Sequence, residues 1–183
     1  MDIKDKIYIS GHNGMVGSSI KRLLLNLGYK NIITASSKEL NLINQQHVKS
    51  FFDHHKPDYV ILAAAKVGGI NSNMKYPAQF LYENTMIQNN IIHQSYLSKV
   101  KKLVFLGSSC IYPKECPQPM KEEYILSGKL EPTNEGYALA KITGLKMTEY
   151  YNKQYGFKSI NLMPCNLYGP NDSFDLENSH VLS

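Results

Sequence analysis

No apolar run in this sequence is long enough to span a bilayer. The opening residues Met1-Asp2-Ile3-Lys4-Asp5-Lys6 mix charges where a secretory signal needs an apolar core. The pattern predicts a cytosolic protein without a membrane partner. Cysteine is scarce: Cys110, Cys116 and Cys165 are an odd number without C-x-x-C spacing, which argues against a disulfide framework and a structural zinc site, so the thiols are expected to be reduced. Charge of one sign is also in short supply. Twenty Lys+Arg against 15 Asp+Glu leave a scattered net charge of +5. The one basic knot, Lys99, Lys101 and Lys102, has no aromatic-rich groove motif beside it, so it reads as a solvated turn and not as a nucleic-acid footprint. A weak positive balance does suit a small phosphate-bearing ligand. The sequon Asn171-Asp172-Ser173 has meaning only in a secreted protein and reads as chance. Internal repeats, low-complexity tracts and interdomain linkers are absent.

What is present suffices for one buried core: 183 residues, 43% of them apolar. Five short apolar runs, Ile7 to Ile9, Ile32 to Thr34, Tyr59 to Ala64, Leu103 to Leu106 and Ile160 to Met163, have the character of strands buried on both faces. Between them Met15 to Leu27, Gln45 to His54, Pro77 to Leu97 and Asn134 to Tyr155 space their apolar residues as helices do. Strict alternation predicts an α/β fold, a Rossmann-type doubly wound parallel sheet with helices on both sides. Gly28 ends the first helix, Asn134 is placed to cap the last, and Gly156 supplies a left-handed residue past its end. Prolines 113, 117, 119 and 132 and Gly128 keep the stretch after Leu106 irregular. That stretch leaves the carboxyl end of the fourth strand, where open α/β sheets place their ligands. The segment Pro170 to Ser183 is polar and aperiodic, and the chain reads as a truncated protein or a fragment.

Two motifs carry chemistry. Gly11, Gly14 and Gly17 stand at G-x-x-G-x-x-G spacing between the first strand and the first helix. There, glycines permit a tight turn, let backbone N–H groups approach a pyrophosphate, and allow close packing of helix on strand. The loop Gly11-His12-Asn13-Gly14-Met15-Val16-Gly17 is therefore expected to bind a dinucleotide. After the second strand stand Ser36, Ser37 and Lys38, with no arginine and no carboxylate placed to repel a 2′-phosphate, which favours NADP while leaving NAD possible. Much later Tyr137 and Lys141 fall one helical turn apart, behind Ser108 at the end of the fourth strand. A phenol is a poor acid–base group at neutral pH, but a neighbouring ammonium and a cationic nicotinamide favour its phenolate. With Ser108 bonding the same carbonyl oxygen, the three make a Ser-Tyr-Lys constellation for hydride transfer.

The glycine spacing is the variant of the extended short-chain dehydrogenase/reductases. Further stretches narrow the resemblance: Ala64-Ala65-Lys66-Val67-Gly68-Gly69-Ile70, Gly107-Ser108-Ser109-Cys110-Ile111-Tyr112-Pro113-Lys114, Glu131-Pro132-Thr133-Asn134-Glu135, Asn166-Leu167-Tyr168-Gly169-Pro170 and Asn178-Ser179-His180-Val181. Over nearly its whole length the chain resembles the GDP-L-fucose synthase family. That resemblance implies NADP-dependent epimerisation at C3 and C5 of GDP-4-keto-6-deoxy-D-mannose followed by reduction at C4. It makes Cys110 and His180 the acid/base pair for epimerisation, and Ser108, Tyr137 and Lys141 the groups for reduction. Both exchanging protons lie α to the C4 carbonyl, so an enolate held by Ser108 and Tyr137 lowers their cost. It also implies cofactor contacts from Ala64 and Gly68, from Leu106, Gly107, Ser108 and Ser109, from Pro164, Cys165, Asn166 and Leu167, and from His180. Asn13 and Ser37 depart from basic residues of the family.

His12, His47, His54, His55 and His93 receive no catalytic role, and Cys116 and Cys165 read as structural thiols. The resemblance implies a domain boundary as well, with residues 1–169 binding NADP and 170–183 beginning a substrate lobe that is largely missing. It further implies a homodimer through the helices at Pro77 to Leu97 and Asn134 to Tyr155, with Leu81, Ile92 and Met147 as exposed-looking positions. Two alternatives stay open: another nucleotide-sugar epimerase or dehydratase, and a lobe that holds dinucleotide without catalysis.

Overall fold

The computed structural model describes residues 1–172. Five parallel strands, β1 (Ile7–Ser10), β2 (Ile32–Ile33), β3 (Tyr59–Leu62), β4 (Lys102–Leu106) and β5 (Ser159–Leu162), form one sheet in the order β2-β1-β3-β4-β5. Helices α1 (Met15–Asn26), α2 (Gln45–His55), α3 (Ile70–Lys75), α4 (Pro77–Leu97) and α5 (Glu135–Tyr155) fill the crossovers. The expected alternation is therefore present, with strand ends shifted by one or two residues. Helix α3 is an addition to the expectation.

Side-chain alternation sorts the core into two layers. Tyr8, Val60, Leu62, Leu103 and Phe105 join Val48 and Phe52 of α2, Ile91 and Ile92 of α4, and Ala138 and Leu145 of α5 in the larger cluster. Ile7 and Ile9 face the other way and pack with Leu24 of α1. On that second face β5 departs from the expectation of strands buried on both sides. Ile160 pairs in register with Val104 and Leu162 with Leu106, yet the two β5 side chains are 42% and 46% exposed. The described helix on this face, α1, packs over β1 and stops short of them.

The helix ends follow local chemistry in part. Gly28 (φ +88°) and Gly156 (φ +66°) take the left-handed conformation past α1 and α5, as expected. Asn44 caps α2 by accepting the N–H of His47. Asn134 does not cap α5, because its side chain makes no bond to the first turn. Ile92, expected on an outer face, is fully buried. The same helix buries Asn84, Gln88 and Asn90, so its buried surface is wider than its apolar stripe. The basic turn is a solvated anchor: Lys101 Nζ lies 2.7 Å from Asp5 and 2.9 Å from Asp58.

The order of the sheet places the site. Connections from β1 and β3 diverge, and a crevice opens at the carboxyl ends of these neighbouring strands. Beyond the sheet, the loops after β4 and β5 stay bonded. The N–H of Gly107 donates to Leu162 O at 2.7 Å and that of Ser109 to Pro164 O at 3.2 Å.

Candidate active site

A cleft of about 840 Å³ runs along the carboxyl ends of the strands. Every cofactor-contact residue expected from the sequence lines it, except Lys38, which is exposed beside it, and His180, which lies outside the described residues.

One end is the glycine loop, built almost entirely from backbone. Gly11 has φ +77°, and a Cβ there would lie 2.7 Å from Ala64 N. A Cβ on Gly17 would lie 2.2 Å from Gly11 O and 2.9 Å from the Cα of His12. At Gly14 the nearest atom to an added Cβ is Gly11 O at 3.5 Å, so this position is open on the cleft side. Gly14 is also the N-cap of α1, which has neither a side-chain cap nor an acidic residue in its first turn. Its free N–H groups and the positive end of the helix dipole thus face the cleft. This cradle fits a dinucleotide pyrophosphate.

The turn after β2, where an adenosine ribose would sit, carries a carboxylate beside it that does not itself line the cleft. Glu39 folds back over the turn after β2 and accepts both the backbone N–H of Ser36, at 2.7 Å, and its hydroxyl, at 2.8 Å. Those two bonds hold the Glu39 carboxyl below its usual range. The Ser36 hydroxyl is therefore engaged, which leaves Ser37 and the backbone of this turn to face a ribose. His12 also lines the cleft, with its Nδ1 buried and without a hydrogen-bond partner among the described residues.

At the other end, β4 and α5 bring the reacting groups together. Ser108 follows β4 and accepts the N–H of Cys110 at 3.2 Å. Its hydroxyl also interacts with the phenol of Tyr137, which lies in the first turn of α5. Burial and the nearby Cys110 sulfur push the Tyr137 phenol up to about 12, against the pull of Ser108. Without a nicotinamide beside it, Tyr137 is a neutral proton donor. Lys141, one turn on, is 4% exposed, and its Nζ donates to Leu106 O at 2.7 Å. That nitrogen lies 5.7 Å from the Tyr137 ring centroid. Burial lowers the lysine from 10.5 to about 8.

Sequence reasoning left three features of the wall unassigned. Lys66 pairs with Glu83 at 2.9 Å while its backbone is clamped by Asn84, which accepts from its N–H and donates to its carbonyl. Asn73 of α3 fixes Gly68 and Gly69 by donating to both carbonyls. Asn134 donates from Nδ2 to Cys110 Sγ at 3.2 Å. Lys66 and Asn134 lay inside quoted motifs, Asn134 being read there as a helix cap, whereas Asn73 gives no sign in sequence. Cys165 is exposed and lines the cleft among the expected cofactor contacts, and His93, given no catalytic role, lies with Nδ1 2.8 Å from the Tyr151 hydroxyl.

Comparison with known proteins agrees with this geometry. GDP-L-fucose synthase 1 of Arabidopsis thaliana is 55% identical over 181 residues, 99% of this chain and 56% of the relative. GDP-L-fucose synthase of Escherichia coli (strain K12) is 53% identical, covering 98% of this chain and 56% of its own length. Among solved structures, a GDP-D-glycero-L-gluco-heptose synthase from Campylobacter jejuni, crystallised in the presence of NADPH, superposes with a TM-score of 0.95 at 45% identity, covering 100% of this chain and 53% of that one. The chain spans about half the length of the curated relatives it matches. The family model that describes NAD dependent epimerases and dehydratases matches residues 7–183, and the chain belongs to that family.

Proposed function

We propose that this chain is the cofactor-binding and proton-transferring part of an NADP-dependent enzyme that converts GDP-4-keto-6-deoxy-D-mannose to GDP-L-fucose. The observation that carries the reading is the convergence of Ser108, Cys110 and Tyr137 at one end of a cleft whose other end is a glycine cradle. Residues 1–169 form the NADP-binding unit in this reading, and 170–183 open the substrate-binding region.

A bound nicotinamide supplies the hydride for C4. The chain's own part is orientation and proton traffic. Gly11 to Gly17 would hold the pyrophosphate of the dinucleotide and the turn at Ser36 and Ser37 its adenosine ribose, with Lys141 beside the nicotinamide half at the far end of the cleft. Ser108 and Tyr137 grip the C4 carbonyl oxygen, the phenol as a neutral acid that protonates it once hydride has added. The same grip stabilises the enolate while the Cys110 thiol and His180 exchange protons at C3 and C5. Tyr137→Phe is expected to lower reduction by roughly 100-fold or more and to slow solvent exchange at C3 by a smaller factor, because Ser108 remains as a donor to the enolate oxygen.

The dinucleotide is testable on the 183-residue chain itself. Fluorescence titration is expected to give tighter binding of NADPH than NADH, in line with the NADPH used for the Campylobacter relative. Equal or reversed preference overturns the assignment and points to Glu39 as the discriminating group. Little reductase turnover is expected from this chain alone, and robust turnover on the keto-sugar counts against a substrate lobe supplied by further residues. A second reading, a different GDP-sugar epimerase/reductase, has the Campylobacter heptose synthase in its favour.

We also place the protein in the cytoplasm and pair it as a homodimer. Its three cysteines are free, and among the described residues no helix is long and apolar enough to cross a membrane. Leu81 and Tyr82 of α4 and Leu139 and Tyr150 of α5 leave apolar surface exposed on two helices that pack together. Sedimentation of a monomer at high concentration removes the dimer.

A further inference from the structure

Asn134 occupies the position before α5 where an asparagine normally accepts a backbone N–H from the helix's first turn. Here it makes no such bond. Its Nδ2 donates instead to Cys110 Sγ at 3.2 Å, and its Oδ1 is left buried without a partner among the described residues. An unpaired buried carbonyl oxygen and a forgone helix cap both cost stability. Departures of this kind from local rules gather at functional positions.

The turn that carries Asn134 is braced for the purpose. Its N–H donates to Glu131 O at 3.2 Å, and Thr133 donates to the Glu131 carboxylate through both its N–H and its hydroxyl. Glu131 in turn pairs at 3.1 Å with Lys114, four residues beyond Cys110. The amide and the sulfur are thereby held to each other from both chain directions.

From this geometry we infer that Asn134 is a positioning residue that sets the acid strength of the Cys110 thiol by donating to its thiolate. A donor aimed at sulfur stabilises the charged form, as does the N-terminal end of α5 beside it. The groups facing the sulfur are few. Tyr137 is neutral and adds no charge beside the sulfur, whose negative charge instead pushes the phenol up. Lys141 lies behind the Tyr137 ring with its ammonium turned to Leu106 O. The Glu131 carboxylate is neutralised by Lys114. Asn134 is thus the direct donor to the sulfur among the described side chains.

The inference rests on Cys110 being an acid/base group, and the test separates the two. Iodoacetamide labelling of Cys110, resolved from Cys116 and Cys165 by peptide mass spectrometry, is followed against pH for wild type, Asn134→Ala and Asn134→Asp, with circular dichroism to confirm folding. Asn134→Ala is expected to move the labelling midpoint up by about one pH unit, slowing reaction at neutral pH about tenfold. Asn134→Asp keeps the shape, removes the donor and adds a negative charge, so its midpoint moves further in the same direction. Either folded variant suffices for the comparison. Midpoints that stay at the wild-type value, including the case where only the high-pH plateau changes, overturn the inference. Solvent deuterium exchange into the GDP-sugar by Cys110→Ser tests the underlying reading alone, since persistent exchange removes that role for Cys110 while leaving the labelling result standing.

Discussion

Lys141→Met is expected to raise stability at neutral pH while destroying reductase function. The lysine is buried, its pKa lowered from 10.5 to about 8 by loss of solvent. The unfolded chain therefore holds more protons than the folded one between those two values. Stability contributed by this group rises with pH across that window, and the full penalty applies below it. The penalty amounts to about 3 kcal/mol, from which the hydrogen bond to Leu106 O must be subtracted when methionine removes it, about 1 kcal/mol. A net gain of roughly 1–2 kcal/mol corresponds to a melting temperature higher by about 2–8 °C for a domain of this size. The gain should shrink as the pH approaches 10, where the wild-type lysine is itself neutral. A lower melting temperature for the variant, or a gain indifferent to pH, contradicts this account of Lys141. Such a charge is kept against its own stability cost because of where it lies, at the junction of β4, α5 and the cleft.

The second large effect separates two glycines only three residues apart. Gly17→Ala forces a methyl to within 2.2 Å of Gly11 O, in a place where the neighbours are backbone and cannot swing away. A loss of about 3 kcal/mol or more is expected, together with loss of NADPH binding, because relief requires moving the loop off β1. Gly14→Ala meets nothing closer than 3.5 Å, and its φ of −75° suits alanine, so stability should fall by no more than about 1 kcal/mol, the cost of alanine at a helix N-cap. Its methyl instead stands on the open side of the cradle, and NADPH affinity should fall at least about tenfold. Thermal melts and fluorescence titrations of the two variants check both halves. Undiminished affinity in folded Gly14→Ala means that the pyrophosphate is held elsewhere.

These contrasts also show which parts of the molecule sequence could disclose. The strands and long helices were legible because short apolar runs and period-3.6 patterns record burial directly, and the glycine spacing because backbone approach leaves no alternative residue. Helix α3 escaped because Ile70-Asn71-Ser72-Asn73-Met74-Lys75 has no apolar period, and its place is fixed by Asn73 holding Gly68 and Gly69. Ile92 looked exposed because α4 buries amides beside apolar residues, and amides such as Gln88 count as polar in any pattern. The Glu39 carboxylate was overlooked because a strand-end acid is sought at the strand's last residues, whereas this one reaches back three positions to Ser36. Asn134 was misassigned for a different reason: a local capping rule lost to a tertiary contact with Cys110, twenty-four residues away. Local rules rank the options for a side chain, and packing chooses among them.

The bonds that continue past the sheet, from Gly107 to Leu162 and from Ser109 to Pro164, have a mechanical consequence. Ser108 sits between two rungs of a ladder and inherits the stiffness of β4 and β5, although its own segment is irregular. Amide deuterium uptake at Gly107 and Ser109 should accordingly be as slow as within the strands, while the loop at residues 115–128 exchanges freely. A force applied at Pro164 to Leu167 by anything seated there is transmitted to the Ser108 hydroxyl without slack.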